Sequence, residues 1–267
     1  MKTTLPPCHI ERDCIDRHEG NTTLKIQPFP ITGSLGGNRN KLKSELLRLI
    51  RDPDTPAYSY IVTTVKIVNA CGADEDSKRF EQFGSGPNFQ GDRLTLCTCK
   101  HQMRASRSAN DWQNVWVAGF TSRSSFGGKH WLVYLAQIQR GYESHCSLWN
   151  SLTKETRHSK AADENYLGDV FKPKDSNVSG RSQFLPSHYV VPEVHVHRQK
   201  PGHRGWRNDI SYRHSKRFGD PALLVAKPRK TFLWDKPLIH FAENHCRNYR
   251  KWQSVEELLG LLCEAPR

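Results

Sequence analysis

Apolar positions along the chain come in short bursts separated by polar and glycine-rich stretches. Leu42, Leu46, Leu49 and Ile50 recur at helical spacing between Asn38 and Arg51, and Pro53 and Pro56 stop that helix. Tyr58–Asn69 is β-branched and aromatic and predicts one strand. Gly84–Gly91 predicts a tight loop, and Leu94–Cys99 a short buried strand that runs into the basic segment Lys100–Arg107. Val115–Phe120 and Trp131–Ile138 predict two more strands across a Ser/Gly-rich turn, and Ala222–Lys227 and Thr231–Trp234 two late ones. Residues 1–38 show no periodicity and read as a loosely ordered extension, and 153–187 as a polar loop. Ser254 and Glu257 form a capping box before Leu258, Leu259, Leu261 and Leu262, so the chain is expected to close on an amphipathic helix.

Strands thus outnumber helices. The expected fold class is α+β, mainly β: a small barrel or a strongly curved mixed sheet with a few flanking helices. Three segments follow: an extension with one helix (1–57), a β-rich domain (58–240) and a terminal helix (241–267). No 20- to 50-residue period recurs, and no G-x-G-x-x-G or Walker loop joins a strand to a helix, which disfavours repeat and Rossmann-type folds.

Charge changes this picture more than composition does. The 267 residues carry 40 Lys+Arg against 27 Asp+Glu, a net +13 with histidine neutral. Arg198–Lys230 alone holds 10 basic and 2 acidic residues, an excess suited to a phosphate-facing surface or, alternatively, to a solvated loop. Apolar residues are 36% and mean hydropathy is −0.72, yet seven Trp, eight Tyr and eleven Phe argue against disorder. No apolar run approaches the roughly 18 residues of a membrane span, so no membrane partner is expected. Without an export signal the protein is expected in the cytoplasm, and its eight thinly spread cysteines are expected to stay reduced.

The densest block of candidate chemistry runs from Gly84 to Gln137. Its Gly-Pro-Asn turn exposes backbone N–H groups, and Asn88 offers a donor and an acceptor, suited to a base edge or a phosphate and equally to ordinary turn punctuation. Lys100 and Arg104 are four apart, with Arg107 extending their face, and would make an anion site or a salt-bridged turn. The order Gly84-x-x-Pro87-Asn88, Leu94-Thr95-Leu96, Cys99-Lys100, Arg104, Asp111-Trp112, Gly119 and Leu132-Val133-Tyr134-x-x-Gln137 resembles the nucleotide modification associated domain 2 family. The resemblance continues in Asp163-Glu164-Asn165-Tyr166, Ile210-Ser211-Tyr212-Arg213 and Phe218-Gly219-Asp220, and covers about residues 58–240. It departs where Asn110 precedes Asp111-Trp112 in place of Gly, and where Lys216-Arg217 replaces an aromatic pair before Phe218. The resemblance implies a link to systems that make, read or respond to modified nucleotides, often in bacteria and their viruses, without an established reaction. The order of strands and loops is also similar, at fold level, to modified-base readers with a PUA- or EVE-like barrel.

Other chemistries are thinner. Cys97-x-Cys99-x-His101 with Cys71 offers zinc three sulfurs and a nitrogen, and His195 and His197 share a strand face. The Cys-x-Cys spacing lacks the usual two-residue gap, so core packing is the simpler reading. Cys97 or Cys99 beside Lys100 and His101 would be an activated thiolate, with Asp111 as a further candidate catalytic group, but no triad or deaminase motif accompanies them. Aromatics interleave with basic residues at Trp112, Trp116, Phe120, Phe126, Trp131 and Tyr134, and again from Trp206 to Trp234; Trp112 and Trp206 are expected to be exposed.

These features lead to a nucleic-acid-binding protein that recognises a modified base in DNA or RNA. Asn88, Lys100, Arg104, Arg107 and Trp112 would shape the base pocket, Arg204, Arg207, Arg213 and Lys216 would hold phosphate, and no cofactor is expected. The alternatives are an enzyme acting on a nucleotide or nucleobase, and a defence or counter-defence protein that binds an acidic partner.

Overall fold

A computed structural model describes residues 27–28, 37–69, 78–82, 86–123, 126–161, 170–191, 206–211, 220–246 and 248–265. Its elements are β1 (Gln27–Pro28), α1 (Lys43–Leu49), β2 (Ala57–Val62), β3 (Val65–Asn69), β4 (Lys78–Gln82), β5 (Thr95–Leu96), α2 (His101–Arg104), β6 (Trp116–Thr121), β7 (His130–Tyr142), α3 (His145–Ser151), α4 (Lys154–Ala161), α5 (Trp206–Ser211), β8 (Leu223–Leu233), β9 (Ile239–Phe241), β10 (Tyr249–Trp252), α6 (Val255–Gly260) and β11 (Leu262–Glu264). The protein is α+β and mainly β, with a mixed sheet curled into a half-barrel. The sheet runs β10-β2-β6-β7-β8-β5, with β9 paired to β7 and β11 to β9. Among the described strands only β2 and β6 pair in parallel, and β1, β4 and β3 form a separate antiparallel sheet.

Curvature has a local cause. Register shifts fall between Gly119 and Phe120 in the β6–β7 pairing and at two places in the β7–β8 pairing. Each inserts an unpaired residue that bends the long strand and raises its twist. Gly119 also makes room for an aromatic, because a Cβ there would stand 2.3 Å from Tyr134 Cε1. One core draws on Leu46 and Ile50 near α1, the central strands, and Val255, Leu258 and Leu259 of α6, so all three sequence segments contribute to it. A second cluster joins Cys97 to Leu148, Trp149 and Leu152, and a third joins Cys146, Phe171, Tyr189 and Ile210.

Several predicted elements are redrawn. The Tyr58–Asn69 strand breaks at Thr63-Thr64, because β2 pairs with β6 and β10 while β3 pairs with β4. Leu94–Cys99 keeps only two ladder residues before Lys100, at φ 56°, turns the chain into α2. The two late strands are halves of one strand, β8, and residues 227–230 between them leave the β7 ladder. The polar stretch from 153 holds α4, preceded by α3, whose N-cap Ser144 accepts from the Ser147 amide. Ser254 caps α6 through the Glu257 amide at 3.1 Å, but the chain then adds β11 against β9 instead of ending in a helix. No helix among the described residues is long and apolar enough to cross a membrane.

Candidate functional site

The loop expected to form a base pocket lies over an aromatic row. Register aligns Tyr60, Gly119 and Tyr134 across β2, β6 and β7. Tyr134 Oη donates to Tyr60 Oη at 2.8 Å, Phe89 packs edge-on to Tyr134, and Lys100 Nζ lies 5.7 Å from the centre of the Tyr60 ring. Burial, with Tyr134 and Cys99 adding to it, pushes the Tyr60 hydroxyl pKa well above its usual value. Asn88 is 2% exposed, and its Oδ1 accepts from the Gln90 amide at 2.9 Å and from Lys160 Nζ at 3.2 Å. Lys160 also donates to Asn88 O, Arg93 O and Thr95 Oγ1 at 3.1, 2.6 and 3.3 Å. Gly91 lets α4 approach closely enough for this: it has φ +63°, and a Cβ there would stand 2.9 Å from Thr156 Cα. A buried lysine on α4 therefore clamps the glycine-rich loop.

The basic trio does not share a face. Arg104 is fully buried and donates to the carbonyls of Cys99, Pro221 and Ala222, which fixes α2 to the start of β8 and removes it from any exposed anion site. Arg107 lies over the Tyr58 ring and donates to Tyr58 Oη and Asp111 O. Trp112, expected to be exposed, is wholly buried: its Nε1 donates to Arg104 O and its ring packs 4.9 Å from Tyr58. A base cannot stack on it without the core opening. Of the predicted phosphate contacts, Arg207 is exposed on α5, while Arg204, Arg213 and Lys216 lie outside the described residues, as do His195 and His197. The Trp206 side chain also lies outside them.

The proposed reactive groups have different surroundings. Cys97 is buried in the second cluster, whereas Cys99 packs against the main core. His101 Nε2 faces Asp209 Oδ1 at 3.6 Å, and Asp111 accepts from Ser108 Oγ at 2.7 Å. Cys71 lies outside the described residues, and among those described no three His, Cys, Asp or Glu side chains are grouped for a metal ion.

Two polar arrangements escape the sequence reading. Behind the sheet, Trp252 Nε1 donates to Ser59 Oγ at 2.8 Å, Ser59 Oγ meets His245 Nε2 at 2.6 Å, and His245 Nδ1 donates to Cys246 O at 2.7 Å. Burial is the main cause that lowers the His245 pKa to about 4, and the charges of Arg250, His130 and Lys100 add to it. These partners are 186 or more residues apart in sequence, apart from the short step to Cys246, so no spacing signals them.

At the end of the sheet, the turn between β6 and β7 and the residues after β9 enclose an open cleft of about 430 Å³, within the range of small-molecule sites. Its polar lining is Arg123, Lys129, His130, His240, Glu243 and Asn244. Arg123 Nε donates to Gly128 O at 2.7 Å and its Nη1 to Asn244 Oδ1 at 2.6 Å, which ties the two walls together. Lys129 Nζ contacts His240 Nε2 at 3.1 Å, while His240 Nδ1 lies 3.2 Å from Phe241 O. Glu243, the one carboxylate in the lining, is paired with Arg250 at 3.3 Å. The cleft therefore presents fixed positive charge with its acid already compensated, a setting for an anion. The Ser/Gly-rich turn with Arg123 and Lys129 was its only sequence signal. Compared with known proteins, the chain matches no family model, no curated protein and no solved structure.

Proposed function

We propose that the protein binds nucleic acid and recognises a modified base in DNA or RNA, acting in the cytoplasm within a nucleotide-modification or defence system. The cleft between Arg123, Lys129 and Asn244 carries this reading, because it combines a nucleotide-sized volume with cations whose local acid is paired. The net +13 and the resemblance of residues 58–240 to the nucleotide modification associated domain 2 family support it, and the curled sheet is compatible with a PUA-like reader. In this reading the anion site lies at the start of β7 rather than at Lys100 and Arg104. Cys97 and Cys99 pack in different clusters, so the cleft and not a thiol carries the reading.

The test is a salt titration of binding to modified and plain strands and duplexes. Affinity is expected to fall steeply between about 50 and 200 mM salt, and to be higher for a modified target at fixed salt. Arg123→Gln and Lys129→Gln should each lower the salt slope by about 0.7 on single strands and cost roughly five-fold at 0.1 M salt. Arg123→Lys should keep most of the slope. Undetectable binding of every target at the lowest salt overturns the proposal.

A further inference from the structure

We infer that the β6–β7 turn is a stacking finger for an unpaired base, so that the cleft's ligand is a single strand or a locally unpaired one. The inference rests on the nucleic-acid reading above and narrows its substrate class. Phe126 is 39% exposed and is the exposed aromatic among residues whose burial is described, where Trp112, Trp116, Phe120, Tyr134 and Trp234 are all fully buried. More than a third of the residue faces solvent. Its position is nonetheless fixed: Trp131 Nε1 donates to Phe126 O at 3.0 Å, and the two rings lie 5.8 Å apart at 32°. Arg123 pins the same turn through Gly128 O. A ring that is already ordered loses little freedom on binding.

The surroundings select the ligand. Lys78 Nζ stands 5.8 Å from the Phe126 ring centre, and Lys129 follows two residues after Gly127 in the wall of the cleft. An apolar protein surface would have to bury these cations, whereas a nucleotide offers a π-face for the ring and a phosphate for the charges. Bases inside a duplex have both faces covered by their neighbours, so only an unpaired or extruded base can meet Phe126. Phe126 directly precedes Gly127 in the cleft wall, and the cleft would hold the phosphate of the same or the next nucleotide.

The experiment compares the full chain with Phe126→Ala and Phe126→Tyr at one salt concentration. The probes are a labelled single strand, the same strand carrying abasic sites, and its duplex. Phe126→Ala should weaken single-strand binding by roughly ten-fold without changing the salt slope, and Phe126→Tyr should restore it. Abasic strand and duplex should bind both variants alike, and Trp131 emission should change on adding the intact strand. If the wild type binds but Phe126→Ala matches it on the single strand, or loses the duplex equally, the finger is overturned and the cleft stands. If the wild type binds no probe at low salt, the underlying reading fails, and the inference with it. Because Phe126 is a surface residue, unchanged thermal unfolding of Phe126→Ala confirms that a binding loss is not a folding loss.

Discussion

Lys160→Met should destabilise the protein by about 3 to 5 kcal/mol, since hydrogen bonds from a charged donor contribute about 1.5 to 3 kcal/mol each and the oxygens that lose this donor stay buried. Lys160 is 1% exposed and lies within hydrogen-bond reach of four oxygens of the 88–95 loop, two of them backbone carbonyls. Methionine keeps much of the apolar stem but none of the donors, so Asn88 O, Asn88 Oδ1 and Arg93 O lose a partner together. For a chain of this size the thermal midpoint should fall by roughly 10 °C. The loss should also be local first: amide exchange at Phe89–Gly91 should speed up before the central strands respond. An unchanged midpoint would show that desolvating the ammonium offsets its hydrogen bonds, which buried charges sometimes do. Lys160→Arg is expected to be no rescue, because the larger guanidinium must fit between α4 and a loop already packed as closely as Gly91 on Thr156.

This lysine shows why part of the molecule was legible in the sequence and part was not. Strands β6 and β7 were found because their apolar runs are continuous and local, and α6 because its Ser254 cap is a spacing rule. The curled mainly-β fold followed from counting such runs. Errors cluster where tertiary partners decide. Arg104 and Trp112 sit among polar neighbours and look exposed, yet Arg104 spans 118 residues to Ala222 O and draws Trp112 Nε1 onto its own carbonyl. Both belong to one buried bracket that no local pattern encodes. β2 and β3 read as one strand because both are β-branched, and their different pairing partners lie beyond any sequence window. The cleft was missed for the same reason: Arg123 and Asn244 meet across 121 residues. The turn's Phe126 was visible, but as one of six interleaved aromatics, and only burial separates it from the other five.

Acid should weaken the fold through His245. This imidazole titrates at about 4 in the folded chain against an ordinary 6.5, mainly because it is buried. Between those values the unfolded chain takes up a proton that the folded chain refuses, so stability is full above pH 6.5 and declines as pH falls toward 4. At pH 5 the loss relative to pH 8 is about 2 kcal/mol, and below pH 4 it approaches about 3 kcal/mol. Neutral His245 donates through Nδ1 to Cys246 O, which leaves Nε2 to accept from Ser59 Oγ while Ser59 accepts from Trp252. A second proton on Nε2 would face a hydroxyl already oriented toward it, and break the relay that joins β10 to β2. Urea unfolding at pH 8 and pH 5 checks this. His245→Gln should be less stable at pH 8 yet lose about 2 kcal/mol less than the wild type on acidification, because the carboxylate contributions of Glu45 and Asp52, both lowered by neighbouring donors, are common to the two chains. Equal acid losses in the two proteins would place the sensitivity elsewhere and assign Ser59–His245 a purely structural part. The relay also sits next to the cleft: His130 and His245 rings lie 6.3 Å apart, and His130 lines the cavity. Protonation of His245 therefore adds positive charge behind the anion site while loosening the strand that supports it, so strand affinity should rise only slightly as pH falls toward 4 before unfolding removes it.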